Sequence, residues 1–221
     1  MLSIRSSYDS FRDLRENNSY YIDKTEIIEE YLIKRFDKAV LFAHPRRFGK
    51  TLTLTMFRDF LDIRQKSESI FAGLKVMGNT DVVEKYMNQY PVIFISLKEV
   101  FGDSFEKVFR NFQIAIATTY DNCADLLESE KISDLHKEFF VKLQRKEMGE
   151  EDTFQSVALL SQIMRKHYGK QVFVIIDEYD VPMAKALGTP YYDEVRDMIE
   201  QMSLFHITGF MKTEQICGQH W

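Results

Sequence analysis

Apolar residues recur along the chain at two spacings, which predict alternating helices and strands. Spacings of three and four predict a short helix around residues 11–14 and longer helices over residues 27–32, 51–63, 105–116, 133–146 and 153–168. Compact apolar runs predict buried strands over residues 39–43, 92–97 and 171–176. Because such strands alternate with amphipathic helices, the pattern predicts an α/β fold with a mostly parallel sheet covered by helices on both faces.

The segment between the first two predicted helices is rich in aromatic and β-branched residues. Tyr20, Tyr21 and Ile22 predict a short strand or an extended arm. Asp23 precedes Glu26 by three positions, which predicts a capping box at the start of the next helix.

Composition and charge narrow the class of protein. With 45% hydrophobic and 14% aromatic residues, the chain of 221 residues is globular and suits one domain, alone or with an appended subdomain. The net charge of −5 provides no positive field for a polyanion, so nucleic acid is not an expected partner. Because the chain has two cysteines and no apolar run long enough for a membrane helix, we expect a cytoplasmic protein without a membrane partner.

Residues 44–51 read HPRRFGKT and lie between a predicted strand and a predicted helix, the setting of a phosphate-binding loop. Gly49 lets the backbone approach a phosphate, Lys50 supplies a compact cation, and the Thr51 hydroxyl can bind Mg²⁺. The N-terminus of the following helix adds partial positive charge. We predict that a nucleotide binds to Pro45, Arg46, Arg47, Phe48, Gly49, Lys50, Thr51 and Leu52.

This loop departs from the pattern G-x-x-x-x-G-K-[ST], because His44 stands at the first glycine and Pro45 lacks an N–H donor. A basic loop that caps an ordinary helix is the alternative interpretation. Arg46 and Arg47 also have two interpretations: they stabilise charge on a transferring phosphoryl group, or they form salt bridges on a solvated face.

A second candidate motif follows the most apolar predicted strand. The sequence VFVIIDEYD puts Asp177 and Glu178 at the carboxyl end of that strand, where α/β sheets bind their ligands. Asp177 can hold Mg²⁺, Glu178 can orient and deprotonate an attacking water, and Asp180 can support them. The alternative is a solvated acidic loop.

These motifs together resemble the AAA-ATPase-like proteins that are abundant in anaerobic bacteria. PRRFGKT and IDEYD stand unbroken, and the segments YIDKT over residues 21–25 and VPMAKAL over residues 181–187 are similar to the family's sequence at those places. The resemblance extends from about Ser7 to Gln201, and the first loop glycine is commonly absent in that family.

The resemblance implies a P-loop NTPase fold with ATP and Mg²⁺ as ligands and hydrolysis of the phosphoanhydride bond. Lys50 and Glu178 would be the catalytic residues, and Thr51 and Asp177 the metal ligands. It also implies that residues 21–25 lie near the nucleotide.

The likeness ends after Gln201, and family members commonly continue further than this chain, which suggests a truncated product. We therefore expect an N-terminal arm and helix over residues 1–36, a nucleotide-binding core over 37–201 and a divergent tail over 202–221. The sheet would be incomplete at its C-terminal side, with Thr208 as a candidate sensor of the γ-phosphate.

Two functions follow from these expectations. The first is an ATPase, and the second is a degenerate ATP-binding module that acts without turnover through contacts with another chain. A homo-oligomer or a separate protein would be the partner.

Overall fold

A computed structural model describes residues 8–35 and 49–204, and this part of the chain contains two strands among helices. The α-helices are α1 (Phe11–Glu16), α2 (Glu26–Arg35), α3 (Lys50–Leu61), α4 (Glu68–Phe71), α5 (Thr80–Tyr86), α6 (Phe105–Asp121), α7 (Asp134–Gln144), α8 (Glu150–Tyr168), α9 (Val181–Ala186) and α10 (Tyr192–Leu204). The strands are β1 (Val92–Ser96) and β2 (Phe173–Asp177), and 3₁₀ turns span Lys75–Gly78 and Ala124–Glu128.

The two strands are parallel neighbours whose carboxyl ends lie side by side. Their register pairs Val92 with Phe173 at one end and Ser96 with Asp177 at the other. A crossover that contains α6, α7 and α8 joins them, as a parallel pair requires. The carboxyl edge of this sheet therefore carries the acidic motif.

Helices cover both faces of the strand pair, as the apolar pattern predicted for a parallel sheet. Because side chains alternate across a strand, each strand contributes to two cores. The core on the side of α6–α10 receives Ile93, Ile95, Val174 and Ile176. The core on the side of α1–α5 receives Val92, Phe173 and Ile175. The described part of the chain is thus of the α/β class.

Most of the predicted elements are confirmed where the structure describes them. The helices α1, α2, α3, α6, α7 and α8 and both strands occur within a few residues of their predicted positions. Helix α3 ends two residues before the predicted end, because Asp62 is extended and Ile63 donates its amide hydrogen to the Tyr90 carbonyl at 2.8 Å. The predicted strand over residues 39–43 lies outside the described residues.

Two details of the N-terminal prediction are corrected. Tyr20, Tyr21 and Ile22 lie in neither a strand nor a helix, and Tyr20 and Ile22 are exposed, so the strand alternative is wrong. Helix α2 begins at Glu26, and Asp23 does not cap it: its Oδ1 accepts hydrogen bonds from the Thr25 amide at 2.9 Å and hydroxyl at 2.7 Å. The capping-box prediction was wrong because α2 begins at Glu26, two residues after the first helical position that an N-cap at Asp23 requires.

Within the described residues, no helix is both long enough and apolar enough to cross a membrane.

Candidate functional site

Lys50 is the first residue of α3, directly after a glycine in a left-handed conformation. Gly49 has φ 81° and ψ 29°, which a side chain rarely adopts, and its carbonyl accepts the Thr53 amide hydrogen at 2.9 Å. As the N-cap, Gly49 has no side chain to satisfy the first amide groups of the helix. The N-terminus of α3 therefore has the electrostatic character that binds anions.

The acidic motif forms a turn, residues 177–180, which we call the acidic turn. Asp177 is buried, and its Oδ1 accepts the Glu178 amide hydrogen at 3.0 Å. The Asp177 carbonyl accepts the Leu97 amide hydrogen at 2.9 Å, which fixes the end of β2 to the segment after β1. Glu178 has φ 55°, and this left-handed residue reverses the chain so that α9 begins at Val181. The turn thus places Glu178 and Asp180 between the end of β2 and the start of α9.

The acidic turn surrounds the ammonium of Lys50, although Lys50 and Asp180 are 130 positions apart in the sequence. The Nζ of Lys50 lies 3.1 Å from Asp180 Oδ1 and 3.9 Å from Glu178 Oε2. It also lies 5.1 Å from the centre of the Tyr179 ring, within the range of a cation–π contact. Lys50 and the acidic turn therefore meet in one place, as the two motifs required.

Burial differs among these side chains. The Lys50 side chain is 17% exposed, Glu178 is 32% exposed and Asp180 is 52% exposed. Burial raises the pKa of Tyr179, the negative charge of Asp180 raises it further, and the positive charge of Lys50 opposes both. Tyr179 is therefore a neutral phenol beside the ammonium at neutral pH.

The other predicted loop residues fall into two groups. Thr51 and Leu52 are half-buried in the first turn of α3, and the Leu52 side chain packs against the core on the side of α1–α5. Leu52 can thus offer a ligand only its backbone. The remaining predicted residues lie outside the described residues: His44, Pro45, Arg46, Arg47 and Phe48, and also Thr208.

The oxygen groups on α3 and β2 suit a magnesium ion. A carboxylate at Asp177 and a hydroxyl at Thr51 are hard ligands, and α3 packs against β2. Across the described ranges, no group of three or more His, Cys, Asp or Glu side chains could hold a metal by itself. A P-loop site needs no such group, because phosphates and water complete the shell.

The arm over residues 21–25 has a structural role in this fold. Asp23 Oδ2 accepts the Lys75 amide hydrogen at 2.8 Å, and Thr25 Oγ1 accepts the Val76 amide hydrogen at 3.1 Å. Burial alone would raise the pKa of Asp23, but hydrogen bonds from Thr25 and Lys75 outweigh it and lower this pKa. These contacts attach the arm to the 3₁₀ turn at Lys75–Gly78.

Sequence reasoning missed polar residues at the end of β1. Ser96 is exposed and in register with Asp177, and Lys98 follows it with an ion pair to Asp9 at 3.3 Å. The criterion that identified Asp177, a polar residue at the end of a predicted strand, also applies to these residues. These groups line the same sheet edge as the acidic turn.

Comparison with known proteins assigns the chain to a family. A family model described as "Predicted AAA-ATPase" matches residues 5–214, a range that contains Lys50 and the acidic turn. No curated protein and no solved structure matches the chain. The match covers most of the sequence and confirms the resemblance carried by the two motifs, so this chain belongs to the AAA-ATPase-like family.

Proposed function

We propose that this chain has a P-loop NTPase fold, binds ATP with Mg²⁺ at the N-terminus of α3, and hydrolyses the terminal phosphoanhydride bond. The observation that carries the proposal is the 3.9 Å distance between Lys50 Nζ and Glu178 Oε2. This distance means that a cation at the start of a helix and a carboxylate lie close together at the carboxyl edge of the parallel strands. That edge is where α/β folds bind nucleotides.

Binding would use positive charge from both the side chain and the backbone. Lys50 offers its ammonium to the β and γ phosphate oxygens, and the N-terminus of α3 offers amide groups and the helix dipole. Gly49 leaves the backbone uncovered where a phosphate would approach. Thr51 and Asp177 would hold Mg²⁺, which supplies charge neutralisation to the phosphates when bound.

Hydrolysis would use Glu178 as the general base. A water oxygen forms a bond to the γ-phosphorus while the bond from that phosphorus to the bridging oxygen breaks, and ADP leaves with the electron pair. Glu178 accepts the water proton and returns it to the phosphate product. The Glu178 side chain is 32% exposed, so water can reach its carboxylate.

The alternative of an ATP-binding module without turnover shares the binding step and lacks the release of phosphate. The two functions therefore differ in the rate at which the protein releases phosphate from ATP. A protein that binds ATP and releases no phosphate above background is the module.

Three variants test the proposal. We expect Lys50→Met to weaken ATP binding by about 10- to 100-fold, because a charge-assisted contact is lost. We expect Glu178→Gln to retain ATP binding and to slow phosphate release by about 10²- to 10⁴-fold, as loss of a general base does. Glu138→Gln, which breaks a surface ion pair with Lys142 on α7, is the control and should change neither quantity.

The measurements are titration with a fluorescent ATP analogue and a phosphate-release assay in Mg²⁺ buffer. Unchanged ATP affinity in Lys50→Met would contradict the proposed binding site. Unchanged phosphate release in Glu178→Gln would contradict the proposed base.

A further inference from the structure

We propose that Asp180 is a competing counter-ion for Lys50, which a phosphate of ATP must displace, so that Asp180 sets the nucleotide affinity of the site. The proposal rests on the proposed ATP-binding function and adds to it a residue that neither motif assigned to binding. Asp180 is then a positioning residue, because it acts through Lys50.

The contact between Lys50 and Asp180 is the shorter of the two ion pairs. Lys50 Nζ donates a hydrogen bond to Asp180 Oδ1 at 3.1 Å, whereas Glu178 Oε2 lies 3.9 Å away, beyond hydrogen-bonding distance. The carboxylate that holds the ammonium is therefore Asp180 and not the predicted general base.

Helix capping does not explain the Asp180 side chain. Asp180 is the N-cap residue of α9, the usual place for an aspartate, yet its side chain makes no capping hydrogen bond. Pro182 follows at the start of the helix and has no amide hydrogen to donate. Among the described residues, the hydrogen bond of the Asp180 carboxylate runs to Lys50.

The surroundings of Lys50 favour exchange between two anions. Its side chain is only 17% exposed, with Tyr179 beside the ammonium, whereas the Asp180 side chain is 52% exposed. Asp180 can therefore turn to solvent when a phosphate takes its place. Because an ammonium has three donors on a compact point charge, a carboxylate and a phosphate compete for it.

The size of the effect follows from the exposure of the pair. A half-exposed ion pair has a strength that corresponds to about a two- to fivefold change in affinity. We expect Asp180→Asn to tighten ATP binding by about this factor and Asp180→Glu, which keeps the charge, to bind nearly as the wild type does.

A charge-matched control separates this effect from a general change in net charge. Glu138→Gln removes one carboxylate from an ion pair of 2.8 Å with Lys142 and leaves Lys50 untouched. A gain in ATP affinity for Asp180→Asn over both wild type and Glu138→Gln supports the proposal. An equal gain in Glu138→Gln, or unchanged or weaker ATP binding in Asp180→Asn, overturns it.

A second measurement reports on Lys50 without any nucleotide. Brief acetylation with an amine-reactive ester, followed by peptide mass spectrometry, gives the labelling rate of Lys50. Asp180→Asn should raise that rate relative to wild type, Asp180→Glu and Glu138→Gln, because a carboxylate no longer holds the Lys50 nitrogen that the reagent must reach. An unchanged rate overturns the proposal even if ATP binds.

The two measurements also distinguish the two proposals. If the wild type binds no ATP, the proposed function fails and the competition proposed here fails with it, whatever the labelling shows. If the wild type binds ATP and neither measurement changes in Asp180→Asn, only the role of Asp180 fails.

Discussion

Glu178, the proposed general base, has an unfavourable backbone conformation. Its φ of 55° lies in the left-handed region, which a residue other than glycine, asparagine or aspartate enters at a cost of about 1 kcal/mol. The turn needs this conformation, because α9 begins three residues later and the Val181 amide donates to the Glu178 carbonyl at 3.0 Å. Strain at this position is thus associated with the carboxylate that the proposed chemistry requires.

The strain predicts a difference in stability between two variants that lack the carboxylate of the proposed base. Glu178→Asn and Glu178→Gln both remove the base, but asparagine tolerates the left-handed region and glutamine does not. We expect the unfolding free energy of Glu178→Asn to exceed that of Glu178→Gln by about 0.5–1 kcal/mol, measured by urea denaturation. Equal stability of the two variants would show that the backbone at this residue carries no strain.

At the scale of elements, the start of α3 decides where Lys50 lies. The apolar positions of the helix predicted its existence, and the left-handed Gly49 sets its first residue. A Cβ at Gly49 would have as its nearest neighbour Leu52 Cβ at 4.0 Å, an ordinary contact, so the constraint there is conformational and not steric.

Two N-cap glycines provide a matched pair for this element. Gly49 has φ 81°, whereas Gly149, the N-cap of α8, has φ −71° and open space around its Cα. We expect Gly49→Ala to lower the unfolding free energy by about 1 kcal/mol more than Gly149→Ala does, since only the first substitution forces alanine into the left-handed region. Thermal and urea denaturation measure the difference, and equal losses would contradict the conformation assigned to Gly49.

At the scale of the whole molecule, one guanidinium links segments that pack into different cores. Arg64 pairs with Asp62 after α3 through contacts of 3.0 and 2.8 Å. It also donates to the Val92 carbonyl at the start of β1 at 2.7 Å, and to Asn122 and Cys123 after α6, each at 3.0 Å. Val92 belongs to the core on the side of α1–α5, and Cys123 belongs to the core on the side of α6–α10.

Substitution of Arg64 should lower the free energy of unfolding substantially. Asp62 is 1% exposed, so Arg64→Met leaves a buried carboxylate without its cation and should lower the unfolding free energy by about 3 kcal/mol. Arg196→Met, which breaks exposed ion pairs on α10, should lower the unfolding free energy much less, because solvent screens these pairs. Urea denaturation compares the two, and similar losses would contradict a linking role for Arg64.

Combining Asp62→Asn with Arg64→Met tests the ion pair between these two side chains through its second partner. The double variant should lose less stability than the sum of the single variants, because the unpaired charge is no longer buried. Additive losses would mean that the two side chains do not interact.

Local pattern was enough for both strands and for most of the long helices, although it did not predict α10, which spans 13 residues. Helices such as α6 and α8 repeat their apolar spacing over several turns, and β1 and β2 are short runs buried on both faces. The short elements between residues 64 and 90 were not predicted, because α4, a 3₁₀ turn and α5 contain too few turns to establish a period.

The sequence by itself identified the candidate residues for binding and catalysis. These are a lysine that follows a glycine at the start of a helix, and the acids that follow the most apolar strand. Only the tertiary structure decided that the ammonium of Lys50 contacts Asp180 more closely than Glu178, and that Arg64 joins the end of α3 to β1 and α6. The physical reason is the separation along the chain of the residues that each kind of information relates. Periodicity and motifs report on residues near one another in sequence, whereas these contacts depend on how the chain packs elements that are far apart along it.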